Sequence, residues 1–322
     1  MKVEDIKNIA VIGTGIMGHG IAQVCAQAGY KTSITRRRVE LIQESIDKIK
    51  SNLQMLVEKE VITKDEADNA LSRIHGRKNI AEAVSDADFV IESVVEDMDV
   101  KKSIFREFDK SSPKHAILTT NTSSFSITEI ASVTERQDKV AGMHWWNPPY
   151  LMPLVEIVKG EKTSDETTNV IKNLVTKLGK VPATCKDSPG FIGVRLQSAL
   201  VNDAISILEE GLASAEDIDT AVKMTLGFRT PILGPLETVD LGGMDTFFYA
   251  YDYLYKKLGE KYKPPDLLRN KAKAGELGIK TGKGFYDYTG KSIESIIKNR
   301  DEWLMEQSKK LKEKMAAQKN KK

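Results

Sequence analysis

The chain has 322 residues, 40% of them hydrophobic and 29% charged, a composition that suits two soluble globular domains with apolar cores. A net charge of only +2 supplies no global basic field for nucleic acid or an anionic membrane. No apolar run approaches the roughly 18 residues that a membrane helix needs.

The opening "MKVEDIKNIAVIG" carries acids before its apolar run and lacks the basic start of a signal peptide, so a cytoplasmic location is expected. "NIAVIG" reads as a strand buried on both faces. It runs into "GTGIMGHGIAQVCAQAGY", where Gly13, Gly15 and Gly18 form G-x-G-x-x-G around Ile16 and Met17. Ile21, Val24, Cys25 and Ala28 then recur at helical spacing, and Gly29 is placed to end the helix. "YKTSIT" supplies a second strand. In such a strand–turn–helix unit Gly13 permits the turn, Gly15 lets the backbone approach a pyrophosphate, and Gly18 lets the helix pack close to the strand. The phosphates would rest on the positive end of the helix. A lone glycine motif is weak, but its place between a strand and a helix near the start of the chain points to a dinucleotide site.

An acid at the end of the second strand would accept hydrogen bonds from the adenosine ribose and repel a 2′-phosphate. Here the chain reads "KTSITRRRVE". Thr35, Arg36, Arg37 and Arg38 offer a hydroxyl and up to three guanidinium groups, a set suited to a phosphate dianion. The expected cofactor is therefore NADP(H), with NAD(H) as the alternative if the arginines are only a solvated start to the next helix.

Residues 40–73 read as a long amphipathic helical pair with a break near "VITKDE". "ADFVIESVVED", "HAILTTNTSS" and "KVAGMHWWNPP" are three further strands, so a doubly wound parallel sheet is expected, with ligands bound beyond the carboxyl ends of its strands. Glu92, Glu96, Asn121, Ser123 and His144 lie at or near those ends. Of the four histidines, His19 belongs to the glycine turn, and His75 and His115 precede or sit in loops. His144 is the best acid/base candidate, provided its imidazole is held in one tautomer. Glu156, in "LMPLVEIV", lies on the next apolar segment and can return to it. The competing reading is a structural histidine bonded to backbone. Cys25 and Cys185 sit far apart in apolar segments and are expected as buried free thiols; no metal site is expected.

After "KDSPGF" strand signals nearly vanish. A helix, a break at "GLAS" and a second helix capped by Ser214 follow. "GMDTFFYAYDYLYKKLG" is a further helix whose aromatics are expected in the core or at a dimer interface. "GIKTGKGFYDY" reads as a structural turn rather than a second phosphate loop. From Ser292 a helix with a lysine-rich end is expected as a solvated tail, its last residues disordered.

The run "GMHWWNPPYLMPLVEIV" is similar to the H-F-F-N-P…V-x-L-V-E signature of the L-3-hydroxyacyl-CoA dehydrogenases. With "GTGIMGHGIA", "VIESVVEDMDVKKSIF", "TTNTSSFSI", "DSPGFIGVR", "EEGLASAEDIDTAVKMTLGF", "LGPLETVDLGG" and "GIKTGKGFYDY", the resemblance spans residues 8–290 or so. It implies an α/β enzyme with a Rossmann-like doubly wound domain over residues 1–186, a smaller all-helical substrate and dimerisation domain over 187–290, and a tail over 291–322. Its expected reaction interconverts 3-hydroxyacyl-CoA and 3-oxoacyl-CoA in fatty acid metabolism, on short chains such as 3-hydroxybutyryl-CoA. By the same resemblance His144 is the catalytic histidine, Glu156 its orienting carboxylate, and Ser123 the hydroxyl on the reacting oxygen, with Asn121 in the same loop. Asn147 helps shape the site, Glu96 and Lys101 line the nicotinamide ribose, and Lys59 falls near the contacts to the CoA phosphates. A homodimer, or a module once joined to an enoyl-CoA hydratase, is implied likewise. Two residues depart from the pattern. Arg36 replaces the common acid, and Val194 stands where the family usually has a substrate-contacting asparagine, so that another residue takes over that contact or the substrate differs. The alternatives are a dehydrogenase of a free hydroxy acid, similar to L-gulonate or L-carnitine dehydrogenases, and a non-catalytic NADP-binding protein.

Overall fold

A computed structural model describes residues 1–319. The chain divides into two compact units, Met1–Val201 and Asn202–Lys322.

The first unit is built on an eight-stranded sheet. In chain order its strands are β1 Asn8–Ile12, β2 Lys31–Thr35, β3 Ile74–Gly76, β4 Phe89–Glu92, β5 Ile117–Thr120, β6 Val140–Trp145, β7 Leu154–Lys159 and β8 Val181–Lys186. In space the order is β3-β2-β1-β4-β5-β6-β7-β8. Side chains alternate across β1. Ile9 and Val11 pack into one core with Ile21 and Val24 of α1 (Gly18–Gln27), Ile49 and Leu53 of α2 (Ile42–Glu58), Ala67 and Ala70 of α3 (Lys64–Ser72) and Leu174 of α7 (Asp165–Lys177). Ala10 and Ile12 face the opposite core, with Ala83 of α4 (Ile80–Val84), Phe105 and Phe108 of α5 (Met98–Ser111) and Ile130 of α6 (Ile127–Ala131). The apolar runs are continuous because both faces of the sheet are covered, as in a doubly wound fold.

The sheet is parallel, as expected, except at one pair of strands. β7 runs antiparallel to β6, and β8 runs parallel to β7. The connection over residues 146–153 carries no helix and is too short for a parallel crossover, which takes a dozen residues or more. This return places His144 and Glu156 as register partners. The sequence reading also passed over β3 and β8; His75 lies in edge strand β3, just before a loop. The helical pair is as expected: α2 and α3 part at residues 59–63, where Thr63 and Glu66 form a capping box. Both cysteines are free. Cys25 is buried and its thiol pushed up to about 12 by burial. Cys185, expected buried, is only partly so; its thiol is pushed up to about 11 by burial first and by the charges of Glu156 and Asp187.

Helix α8 (Gly193–Glu209) begins in the first unit and runs into the second, which adds α9 Ala215–Met224, α10 Leu226–Arg229, α11 Pro235–Gly242, α12 Met244–Leu258, α13 Asp266–Lys273 and α14 Ile293–Lys319. Ser214 caps α9 by accepting the amide of Asp217 at 3.1 Å. The glycine-rich run after α13 is a turn closed on the buried carboxylate of Asp240, which accepts the amides of Phe285 and Tyr286, each at 2.9 Å, and the hydroxyl of Tyr288 at 3.1 Å. The aromatics of α12, expected in the core or at a dimer interface, are divided: Phe247, Phe248, Tyr251 and Tyr255 are half-buried. Tyr249 and Tyr253 are 69% and 61% exposed, and Met244 is the buried residue of that helix. Nor is the tail wholly solvated. Ile293, Ile296, Ile297, Trp303 and Leu304 of α14 are half-buried, and α14 lines a cavity of about 350 Å³ with α10, α11 and α12. The expected disorder of the last residues falls on Asn320–Lys322, outside the described residues. Among the described residues no helix is long and apolar enough to cross a membrane.

Candidate active site

The glycine turn links β1 to α1. Gly13 has φ of +94°, and a Cβ on it would lie 2.5 Å from the carbonyl oxygen of Ser93. A Cβ on Gly18 would meet the carbonyl oxygen of Gly13 at 2.0 Å, whereas one on Gly15 has nothing within 4 Å among the described residues. Gly13 therefore lets the turn lie against the chain that leaves β4, Gly18 lets α1 start close upon Gly13, and the middle glycine leaves its backbone open toward the side where a pyrophosphate would rest. Ile16 is 75% exposed at the tip and Met17 is half-buried. His19 hydrogen-bonds through Nδ1 to the Gly15 carbonyl at 2.6 Å. Ser45 of α2 anchors the turn: Thr14 donates its hydroxyl to Ser45 Oγ at 2.9 Å, and Ser45 donates to the Thr14 carbonyl at 3.1 Å.

At the end of β2 the expected phosphate-binding group is only partly free. Thr35 donates its hydroxyl to the Arg77 carbonyl at 2.9 Å and is buried, so it faces β3. Arg36 donates to the Leu41 carbonyl at 3.1 Å and to Ser45 Oγ at 3.3 Å, with Glu44 at 3.9 Å. Arg37 and Arg38 are exposed. No carboxylate ends β2, and a guanidinium with five donors retains some beyond these contacts.

Glu92, which ends β4, is fully buried. Its carboxylate accepts Lys101 Nζ at 2.8 and 3.0 Å and the Val94 amide at 2.6 Å. Lys101, 1% exposed, also lies 3.2 Å from Glu96. Glu96 in turn accepts the Thr122 hydroxyl, the Ser123 amide at 3.2 Å and the Ser124 hydroxyl at 3.3 Å. Burial raises the Glu96 carboxyl, but these donors and the Lys101 charge outweigh it and hold the group below the usual carboxylate range. Asn121 spans the strand ends, donating to Ser93 Oγ at 3.3 Å and accepting the Trp145 amide at 2.8 Å. Ser123 is exposed beside it.

On β6 the buried His144 hydrogen-bonds through Nδ1 to Glu156 Oε2 at 2.7 Å. The other oxygen of Glu156 accepts the amides of Ile192 and Gly193 at 3.0 and 2.8 Å, from the turn that opens α8. Burial pushes the Glu156 carboxyl up, yet the bonds from His144, Gly193 and Ile192 prevail and hold it below the usual range. A carboxylate held ionised at Nδ1 keeps the proton on that nitrogen and leaves Nε2 for exchange. Trp146 and Phe191 pack on the imidazole at centroid distances of 5.4 and 5.8 Å.

The structure thus gathers the glycine turn, Glu96, Lys101, Asn121, Ser123, His144 and Glu156 at the strand ends of the first unit. Val194 lies half-buried in the first turn of α8. Asn147 is exposed just past β6, and Lys59 is exposed at the C-cap of α2, on the helical pair rather than at a strand end. The sequence reading missed Ser45, Thr122, Trp146, Phe191 and the two amides of α8. The one available signal was spacing: Trp146 follows His144 by two positions, which puts both on one side of an extended chain.

A Rossmann-type sheet with a glycine turn and a carboxylate-held histidine at its strand ends is the architecture of a nicotinamide-dependent oxidoreductase. Residues 8–188 match the family model of the 3-hydroxyacyl-CoA dehydrogenase NAD binding domain, and residues 190–288 that of the 3-hydroxyacyl-CoA dehydrogenase C-terminal domain. The chain belongs to the 3-hydroxyacyl-CoA dehydrogenase family. It is 41% identical over 289 residues to a probable 3-hydroxybutyryl-CoA dehydrogenase of Bacillus subtilis, covering 89% of this chain and 99% of that protein. Among solved structures it resembles the (S)-3-hydroxybutyryl-CoA dehydrogenase of Ralstonia eutropha, with 39% identity, a TM-score of 0.66, and 88% and 99% of the two chains covered. A 3-hydroxyacyl-CoA dehydrogenase of Archaeoglobus fulgidus gives a TM-score of 0.76 at 32% identity, over 95% and 99% of the chains. Helix α14 begins beyond the residues matched by the family models.

Proposed function

We propose that the protein interconverts a short-chain 3-hydroxyacyl-CoA, of the size of 3-hydroxybutyryl-CoA, with its 3-oxoacyl-CoA, using His144 as acid/base and NADP(H) as the preferred cofactor. The observation that carries the reading is the 2.7 Å bond between His144 and Glu156 at the strand ends. The open backbone at Gly15 fits a dinucleotide pyrophosphate, with Ile16 and Met17 over it and Arg36 and Arg37 at the adenosine end. The nicotinamide, when bound, supplies or takes up the hydride at C3. His144 gives or takes the proton on the C3 oxygen through Nε2, while the charge of Glu156 stabilises the imidazolium. Ser123, its loop fixed by Glu96 and Asn121, donates to the same oxygen as charge develops on it. Glu96 and Lys101 set the wall beside the nicotinamide ribose, Asn147 the rim of the site, and Lys59 takes a CoA phosphate.

The support for NADP(H) is the absence of an acid at the end of β2 and the exposure of Arg37 and Arg38. A homodimer through the helical unit is part of the proposal. Ile205, Leu208 and Leu212 on and just after α8 are 50%, 47% and 73% exposed, a stripe that a second copy would cover. A second reading, a free hydroxy acid as substrate, is favoured by Val194, which brings no donor or acceptor to the start of α8.

The test is initial-rate oxidation of NADPH and NADH with acetoacetyl-CoA and with free acetoacetate. Fast NADPH use with the CoA ester alone is expected. Equal rates with the free acid would favour the second reading, and preference for NADH would overturn the arginine assignment. Val194→Asn should raise the rate with acetoacetyl-CoA if valine impairs that reaction.

A further inference from the structure

One hydrogen bond at Nδ1 fixes a point on the His144 ring, not its plane, because the outer torsion of histidine is broad. Where Nε2 presents its proton therefore depends on what packs against the faces and edges of the imidazole. Trp146 meets it at 5.4 Å with planes inclined by 52°, and Phe191 at 5.8 Å and 58°. Phe191 is 3% exposed and has φ of +48°, a backbone conformation that an L-residue adopts only when its surroundings impose it.

Trp146 is held in an unusual way. A Cβ built on Gly193 would lie 2.4 Å from Trp146 Cζ2, 3.2 Å from its Cε2 and 3.3 Å from Glu156 Oε2. The indole thus fills the space that any other residue at 193 would need for its side chain. The same Gly193 donates its amide to Glu156. One residue therefore holds the carboxylate with its backbone and admits the indole with its bare α-carbon. The indole Nε1 is buried and has no hydrogen-bond partner among the described residues, although a buried indole N–H usually finds one. Shape, not a polar anchor, keeps this ring in place.

We infer that Trp146 is a positioning residue for the proton transfer: interlocked with Gly193, it fixes the plane of the His144 imidazole while Glu156 fixes its tautomer. The inference rests on the assignment of His144 above and adds that the opening turn of α8 and the imidazole are coupled through this ring. Gly193 also begins α8 without a positive φ, so alanine is tolerated by the backbone there and its cost comes from the clash.

The experiment is a double-mutant cycle on the full chain, read as kcat and KM with thermal melting as a check on folding. Gly193→Ala should lower kcat by about 100-fold, the scale of an ångström-sized misplacement, with little change in KM. Trp146→Phe keeps an aromatic ring against His144 but lacks the outer six-membered ring that carries Cζ2. In the Gly193→Ala background it should restore kcat at least about tenfold, the two changes being coupled through contact. Failure of the double variant to exceed Gly193→Ala would overturn the interlock. If Gly193→Ala does not fold, Trp146→Ala and Trp146→Phe decide: a large kcat loss in the first that is mostly recovered in the second supports positioning. Near-normal kcat in Trp146→Ala overturns it. His144→Ala in the same assay separates the two layers. Turnover retained there overturns the assignment beneath; turnover lost there without rescue in the cycle overturns only the role of Trp146.

Discussion

Replacing Glu156 by glutamine changes one atom and two properties. Glu156 is fully buried and accepts three bonds, from His144 Nδ1 at 2.7 Å and from the amides of Ile192 and Gly193 at 3.0 and 2.8 Å. A glutamine can keep its oxygen on the two α8 amides, so the turn survives. Its NH₂ group then faces Nδ1 and can only donate, which forces the proton onto Nε2 and presents the wrong tautomer to substrate. Loss of a charge-assisted bond alone is worth about 1.5–3 kcal/mol, or roughly 10- to 150-fold in rate; the tautomer change in a comparable carboxylate–histidine pair costs about 10⁴. Turnover of Glu156→Gln should therefore fall by about 10² to 10⁴, with the dissociation constant of the cofactor changed by less than about threefold. Stopped-flow or steady-state oxidation of the reduced cofactor, with its binding followed by fluorescence, measures both. A kcat within about threefold of the parent would refute the dyad.

The depressed carboxyl of Glu156 also predicts a pH effect. Its partners contribute stability that is present above the unfolded value near about 4.3 and lost as pH falls through the folded value, so acid unfolding should be less steep in Glu156→Gln when followed by circular dichroism. Gly15→Ala meets no atom within 4 Å among the described residues; the melting temperature of the free protein should hold while cofactor affinity drops at least about tenfold, and unchanged affinity in calorimetry would count against the cradle. Lys101→Met leaves Glu92 buried and unpaired and should cost about 3–5 kcal/mol, seen as a much lower urea midpoint; a midpoint like the parent's would show the pair to be dispensable. Arg36→Asp should shift the ratio of kcat/KM for NADPH over NADH toward NADH by at least about tenfold, and an unmoved ratio would free Arg36 of any part in cofactor choice.

Much of this protein is written in local pattern. The β-branched run before Gly13, the helical spacing after Gly18, the glycine that ends α1 and the cap at Ser214 each act over a few residues, and each element lies where its residues indicate. His144 and Glu156 could be singled out as candidates because their residue types suit the chemistry. Other features depend on contacts that no local pattern specifies. Without a crossover helix between β6 and β7, the chain turns back, and that reversal makes His144 and Glu156 neighbours across two strands. Thr35 and Arg36 looked free in the sequence, but their donors are drawn to the carbonyls of Arg77 and Leu41, the first of them just past a strand distant in sequence. The clasp of Trp146 by Gly193 joins segments that share no periodicity. Propensity and capping are decided by nearest neighbours along the chain; strand direction, the partners of buried donors and the seat of an aromatic ring are decided by which surfaces must be covered once the sheet has formed.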